Sequence, residues 1–177
     1  GFAGGTLARD VTALVKVSQQ QRYRAYLLGA VLKTNQRQNS IVTRKLRKVY
    51  RSLRGLNVGI LGLTYKAGTS TLRRSIALEI IRELASRGVV VKAYDPQVSP
   101  QEAKAYPEFQ LCADPYDTAE GSDGLVLLTD WPELLELDYA RVKPRMRRAL
   151  IIDTRNALDR EGLTQLGFQY LGIGRGG

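Results

Sequence analysis

Histidine is absent from this 177-residue chain, and cysteine occurs once, as Cys112. Without histidine the chain lacks both the commonest metal ligand and the commonest general base, so no zinc site is expected. A single cysteine excludes an internal disulfide and fits a reducing compartment. No apolar run approaches the roughly 20 residues of a membrane span, and no signal-peptide pattern opens the chain. These absences predict a soluble globular protein of the cytoplasm.

Acidic residues are also absent from Val11 to Leu78, a stretch that carries fourteen Lys and Arg. Residues 79–177 hold twelve basic and sixteen acidic residues, so the net charge of +10 is concentrated in the first half of the chain. A positive field attracts anions, and nucleic acid, a nucleotide or plain solvent around a basic helix would each be compatible with it. Between Lys33 and Arg54 aromatic residues are nearly absent and no recognition motif is present, which argues against nucleic acid.

Residues 57–96 have the pattern of a strand, a polar loop, a helix and a second strand. The branched apolar run from Val58 to Leu63 predicts a buried parallel strand. Apolar residues at helical spacing predict a helix that Gly88 ends, and Val89 to Pro96 returns as a strand. In such a unit the loop lies at the carboxyl ends of the strands, where open α/β sheets bind ligands.

Four further short apolar runs predict strands at residues 109–112, 124–129, 149–153 and 168–173. Strands that alternate with helical segments predict an α/β fold, a Rossmann-like doubly wound parallel sheet with helices on both faces. We expect this sheet to form a domain at residues 55–177. Residues 1–54 are expected to form a loop and a long helical segment before it.

Two helices are expected in that first segment. A short one runs to about Gln20, and a longer one extends from about Tyr23 to Leu53. Asn35 and Gln38 interrupt the apolar stripe of the longer helix. Such polar residues need partners, so they either hydrogen-bond to a neighbouring helix or face a polar site.

A dinucleotide site of the Rossmann type requires the glycine pattern G-x-G-x-x-G after the first strand. The first strand is instead followed by a loop that contains Lys66 and Arg73, so side-chain cations would contact the anion. Asp95 resembles the acid that holds an NAD ribose, although an Asp before a proline more often ends a strand in a turn. The residues alone therefore predict an anion site that differs from a dinucleotide fingerprint.

Four motifs in the right order resemble those of the UDP-glucose and GDP-mannose dehydrogenases, a family of nucleotide-sugar oxidoreductases. Residues 61–75 are similar to its L-G-L-A-F-K-P-N-T-D-D-x-R-E-S. Residues 129–131 and 152–156 resemble its T-E-W and I-D-T-R-N, and residues 1–10 resemble its G-F-G-G-S-C-F-P-K-D active-site loop. Together these motifs cover nearly the whole chain, and their order makes the resemblance specific.

The resemblance implies an NAD-dependent enzyme that oxidises the C6 alcohol of a nucleotide sugar to a carboxylate in two hydride transfers. The family has an N-terminal NAD domain, a long central helix that builds a homodimer, and a C-terminal domain that binds the nucleotide sugar. This chain matches the last two and begins at Gly1, so we expect it to be part of a longer protein whose NAD domain it lacks. It is expected to bind a UDP-sugar rather than a GDP-sugar, without catalysing the oxidation alone.

By the same resemblance, Thr6 stands at the position of the nucleophilic cysteine, and Asp10 at that of an acid associated with the hydrolytic water. Arg73 matches an arginine that approaches the cofactor. A threonine hydroxyl ionises far less readily than a thiol. This departure favours the alternative that the chain is a non-catalytic scaffold for nucleotide-sugar binding or dimerisation.

The resemblance assigns substrate binding to Gly1, Phe2, Gly4, Leu7, Tyr65, Lys66 and Arg155. Lys66 and Arg155 match substrate-binding cations at two strand ends, and Tyr65 matches an aromatic residue of the pocket. In the loop after the first strand, Ser70, Thr71 and Arg74 replace acidic residues of the family. This loop is therefore more cationic than the family pattern.

Overall fold

A six-stranded, all-parallel sheet forms the centre of the chain, in the order β3-β2-β1-β4-β5-β6. The computed structural model describes residue 2, residues 6–72 and residues 75–174. The strands are β1 (Asn57–Leu61), β2 (Val90–Tyr94), β3 (Gln110–Leu111), β4 (Gly124–Leu127), β5 (Leu150–Asp153) and β6 (Gln169–Gly172). The strand order reverses between β1 and β4, as in doubly wound sheets. This topology confirms the predicted Rossmann-like fold class.

Three helices precede the sheet, and further helices, most of them short, connect its strands. Within the described residues they are α1 (Leu7–Gln20), α2 (Tyr26–Asn39), α3 (Ile41–Val49), α4 (Ile76–Ser86), α5 (Pro100–Ala103), α6 (Pro115–Ala119), α7 (Pro132–Leu135), α8 (Tyr139–Val142) and α9 (Arg160–Gln165). No helix in this part of the chain combines the length and the apolarity that crossing a membrane demands.

The long helix expected from Tyr23 to Leu53 is divided at Ser40, and this part of the prediction was wrong. Ser40 has φ −84° and ψ 7°, which interrupts the helical path between α2 and α3. The two pieces meet different surroundings, because Val42 and Leu46 of α3 are fully buried while α2 has no buried residue. Packing of α3 against the sheet, rather than a continuous apolar stripe, determines its direction.

Both faces of the sheet are covered, as expected for parallel strands with continuous apolar runs. Val126 of β4 and Ile152 of β5 pack in the cluster that also contains α3 and α4. Leu125 and Ile151 point to the opposite face and pack with the segment after β4 and with α9. Val42 and Leu46, which precede residue 55, pack in the same hydrophobic cluster as the strands. The packing therefore marks no boundary at residue 54, and the division into residues 1–54 and 55–177 stays a prediction.

Candidate functional site

A cleft of about 400 Å³ opens at the carboxyl ends of the strands, where a doubly wound sheet is expected to bind ligands. Four predicted substrate-binding residues line it, namely Phe2, Tyr65, Lys66 and Arg155. Lys66 follows β1 and Arg155 follows β5, so two separate strand ends place a cation in the same cleft. No acidic side chain lines the described part of this cleft. The arrangement suits an anionic ligand that also has an apolar face.

The apolar wall of the cleft comes from helices that also build the core. Ile76 and Ile80 of α4 and Ile41 of α3 line it. The helical spacing of residues 76–84 predicted a core-facing stripe and gave no sign that its first turns also border a cleft. This part of the site was missed because the sequence pattern does not show where a packed helix face meets an opening.

The loop that carries Lys66 is held at several points. The side-chain hydroxyl of Thr69 donates to the Lys66 carbonyl at 2.7 Å. The Lys66 ammonium lies 5.6 Å from the centre of the Tyr65 ring, within the range of a cation–π contact. Just before them, Thr129 donates from its hydroxyl to the Thr64 carbonyl at 2.6 Å. Lys66 therefore extends from a turn whose backbone is fixed on both sides.

Arg155 reaches the cleft from the turn after β5. Its Nε donates to Asp130 Oδ1 at 3.1 Å, in an ion pair whose side chains are about two-fifths exposed. Such an exposed pair contributes little stability, but it fixes one edge of the guanidinium. Because guanidinium has five N–H donors, the terminal nitrogens can still bind a ligand oxygen.

The two polar residues that interrupt the apolar stripe of α2, Asn35 and Gln38, lie towards the cleft and its neighbour Phe2. Asn35 donates from Nδ2 to the Phe2 carbonyl at 2.9 Å, and its Oδ1 accepts from the Phe2 amide at 2.6 Å. Gln38 lines the cleft. These contacts decide between the two alternatives that the sequence left open for this stripe.

In its described residues, up to 72 and from 75 onward, the crossover from β1 to α4 shows no pyrophosphate site of the dinucleotide type. The Ser75 hydroxyl caps α4 by accepting the Ala77 amide at 3.1 Å, and Gly62 lies against Thr129 instead of facing a ligand. Asp95 is buried, and its carboxylate accepts backbone amides rather than facing a ribose position. The reading of Asp95 as a strand-ending residue is therefore the one that the structure supports. The spacing G-x-G-x-x-G does occur at residues 172–177, after β6, but residues 175–177 lie outside the described part.

The remaining predicted site residues do not line this cleft in the described structure. Thr6 immediately precedes α1, its side chain makes no capping hydrogen bond, and Leu7 is 53% exposed. Asp10 lies in the first turn of α1 and pairs with Arg9 at 3.2 Å. Their assigned roles stay predictions.

Gly1, Gly4 and Arg73 were also predicted as site residues, and all three lie outside the described residues. Nothing in the cleft therefore tests the assignment of Arg73 to the cofactor.

Comparison with known proteins agrees with the fold. The model of the UDP-glucose/GDP-mannose dehydrogenase family, UDP binding domain, matches residues 59–160. UDP-glucose 6-dehydrogenase of Pseudomonas aeruginosa is 35% identical over 99% of this chain and 40% of its own length. UDP-glucose 6-dehydrogenase TuaD of Bacillus subtilis is 36% identical over 99% of this chain and 38% of its own.

The likeness extends to solved structures. A UDP-glucose dehydrogenase from the hyperthermophilic archaeon Pyrobaculum islandicum superposes with a TM-score of 0.79 at 26% identity, covering 97% of this chain and 38% of that one. The chain thus spans about two-fifths of the length of the curated relatives it matches. Its matched residues, fold and strand-end cations together show that the chain belongs to the UDP-glucose/GDP-mannose dehydrogenase family.

Proposed function

We propose that the cleft binds a UDP-sugar, and that this chain is the nucleotide-sugar-binding portion of an NAD-dependent UDP-glucose 6-dehydrogenase. The observation that carries the proposal is the meeting of Lys66 and Arg155 in one cleft without an acidic lining residue. A diphosphate needs cationic donors from more than one direction, and the ends of β1 and β5 supply them.

The other lining residues fit the rest of such a ligand. Tyr65 and Phe2 offer aromatic surface, and Ile76 and Ile80 an apolar wall, while Gln38 adds an amide. Aromatic and apolar surface packs against the faces of a base or a sugar ring, whereas a few polar groups orient the ligand. Similarity to UDP-glucose dehydrogenases supports UDP over GDP as the nucleotide.

In the parent enzyme NAD would accept the two hydrides. The described residues of this chain do not fit its pyrophosphate, because the Ser75 hydroxyl already caps the helix after β1. We therefore place the cofactor on a part of the parent outside this chain. Because Thr6 stands where the family has a nucleophilic cysteine, the chain alone is proposed to bind ligand without turnover.

A non-catalytic scaffold for nucleotide-sugar binding or dimerisation is the second candidate, and Thr6 at the position of the family's nucleophilic cysteine favours it. Apolar side chains exposed on the first helices fit dimerisation of such a scaffold and equally of the enzyme. Leu14, Val17, Tyr26 and Leu27 of α1 and α2 are each more than half exposed. A homodimer formed through the helical segment would cover such side chains. Light scattering should then give twice the monomer mass, and Leu27→Asp should lower it; a monomer at all concentrations would contradict the dimer.

Calorimetric titration of the chain with UDP, UDP-glucose and GDP-mannose tests the binding proposal. Lys66→Ala and Arg155→Ala should each weaken UDP-glucose binding roughly tenfold or more, since hydrogen bonds to charged groups contribute about 1.5–3 kcal/mol. Arg54→Ala is the matched control, because Arg54 precedes β1 at the opposite end of the sheet. No binding of any nucleotide sugar, or an equal loss in the control, would contradict the proposal. Steady NADH formation from NAD and UDP-glucose would contradict the proposed lack of turnover.

A further inference from the structure

Two aspartates are buried at strand ends beside the cleft without lining it. Asp95 directly follows β2 and is 4% exposed, and Asp153 is the last residue of β5 and is fully buried. A buried carboxylate is unfavourable unless hydrogen bonds satisfy its oxygens. Both carboxylates meet this requirement: Asp95 accepts donors from the turn after the neighbouring β1, and Asp153 accepts donors from the turn after its own strand and from β6.

Asp95 holds the turn that leads to Lys66. Its Oδ2 accepts the Leu63 amide at 2.7 Å, the Thr64 amide at 2.9 Å and the Thr64 hydroxyl at 3.0 Å. The Trp131 indole N–H, which comes from the segment after β4, reaches both the Thr64 hydroxyl and Asp95 Oδ2 at 3.1 Å. Since Thr129 binds the Thr64 carbonyl, every polar group of Thr64 is engaged. Lys66 follows two residues later.

Asp153 holds the turn that carries Arg155. Its Oδ1 accepts the Arg155 and Asn156 amides, both at 2.8 Å. Its Oδ2 accepts the Leu158 amide at 2.9 Å and the Tyr170 hydroxyl of β6 at 3.0 Å. Asn156 has a positive φ of 55°, a left-handed conformation that asparagine adopts more readily than other non-glycine residues, as suits a tight turn.

A third carboxylate, that of Asp123, also accepts a backbone amide but lies away from the cleft. Asp123 accepts the Asn57 amide at 2.8 Å and so ties the start of β1 at the amino end of the sheet. No cation of the cleft follows that contact. Asp95 and Asp153, by contrast, each bind the turn that presents one of the two cleft cations.

We propose that Asp95 and Asp153 are a pair of positioning residues for nucleotide-sugar binding. Asp95 sets the position of Lys66, Asp153 sets that of Arg155, and neither carboxylate touches the ligand. The inference rests on the proposed function, because the cations must bind a ligand for their position to matter. It predicts that the effect of Asp95 on ligand affinity depends on Lys66 and not on Arg155, and that the effect of Asp153 depends on Arg155 and not on Lys66.

Double-mutant cycles measure this coupling directly, since residues in one network show non-additive effects. Asp95→Asn should weaken UDP-glucose binding roughly tenfold when it is introduced into the unsubstituted chain or into Arg155→Ala. Introduced into Lys66→Ala, it should weaken binding less than about twofold. Asp153→Asn should show the reverse pattern. Equal effects in both backgrounds would overturn the proposal, because they would indicate a general loss of structure. Asp123→Asn, the matched control, should lower stability and leave the affinity unchanged.

A second readout does not depend on the ligand. Amide hydrogen exchange should rise at Tyr65 and Lys66 in Asp95→Asn and at residues 155–158 in Asp153→Asn, without rising at the other turn. If the unsubstituted chain binds no UDP-glucose, the proposed function fails. Amide hydrogen exchange at the two turns then still shows whether each carboxylate holds its turn. A uniform rise across the sheet would contradict positioning.

Milder variants keep the test decisive if an Asp→Asn chain does not fold. Trp131→Phe removes one donor to Asp95, and Tyr170→Phe removes one donor to Asp153. Each should reproduce the exchange pattern of its aspartate at reduced size. The proposal would be overturned if Trp131→Phe raised exchange at the turn of Arg155, or Tyr170→Phe at the turn of Lys66, as much as at the turn beside its own aspartate.

Discussion

Gly62 allows a close approach between two strand ends, and its substitution should be the most costly glycine change near the cleft. Its φ is +88°, in the left-handed region that L side chains rarely adopt. A Cβ at this position would lie 2.5 Å from Thr129 Cβ and 2.7 Å from the Thr129 amide nitrogen. The backbone of Thr129 cannot rotate away as a long side chain could, and its hydroxyl already binds Thr64.

Two further glycines separate the contributions to this cost. Gly68 also has a positive φ, +76°, but no atom lies within 4 Å of an added Cβ. Gly29 is the fourth residue of α2 and has open space as well. Gly29→Ala should stabilise the chain by about 0.5–1 kcal/mol through helix propensity. Gly68→Ala should lower the free energy of unfolding by about 1–2 kcal/mol, the cost of the left-handed conformation.

Gly62→Ala adds steric overlap with backbone to that same conformational cost. We expect a loss of about 2–5 kcal/mol, which combines about 1–2 kcal/mol for the left-handed conformation with about 1–3 kcal/mol for the steric overlap. Urea unfolding of the three variants measures the series, with an unchanged m-value as the sign that only stability differs. If Gly62→Ala were no more destabilising than Gly68→Ala, the close approach to Thr129 would be refuted.

Three other predictions concern the core, pH and the segment beside the cleft. Leu46→Ala should lower the free energy of unfolding by about 2–5 kcal/mol because Leu46 is fully buried, whereas Val90→Ala, at a 55% exposed position outside the first helices, should change it by about 1 kcal/mol or less. Burial raises the pKa of Tyr139 above its ordinary value of 10.0, and the charge of Asp153 adds to this. As pH rises, the unfolded chain therefore loses the Tyr139 phenol proton before the folded chain does, so the free energy of unfolding should fall above about pH 10. The difference between the urea midpoints near pH 9 and about pH 11 should be smaller in Tyr139→Phe than in the unsubstituted chain. Asn35→Ala should raise amide exchange at Phe2 roughly fivefold, as expected for loss of a net hydrogen-bond contribution of about 1 kcal/mol; no change would contradict the contact between α2 and this segment.

Elements with strong local signals could be predicted well. The run from Val58 to Leu63 became β1, and the helical stripe that Gly88 ends became α4. Alternation of apolar runs with polar segments was enough to indicate a parallel sheet, since strands buried on both faces need continuous apolar sequence. Short helices such as α8 were not predicted, because four residues carry too little periodicity to recognise.

Some residues of the site could likewise be predicted from the sequence, and others could not. Lys66 and Arg155 could be named from motifs, because their residue types and neighbours are local information. That Asn35 binds the Phe2 backbone could not be predicted, since the two residues are far apart in sequence and an amide on a helix has many possible partners. The sequence also left open whether Asp95 faced a ligand, and only its burial among amide donors answers that.

The sequence by itself therefore determined the residue types: runs apolar enough for buried strands, cations after two of those runs, and a threonine at residue 6. Each of these follows from local chemistry and spacing. The tertiary structure decided which of those residues meet, because the order of parallel strands brings the ends of β1 and β5 to one cleft. It also decided that α2 and α3 separate at Ser40, since the burial of Val42 and Leu46 against the sheet outweighs the continuity of a single helix.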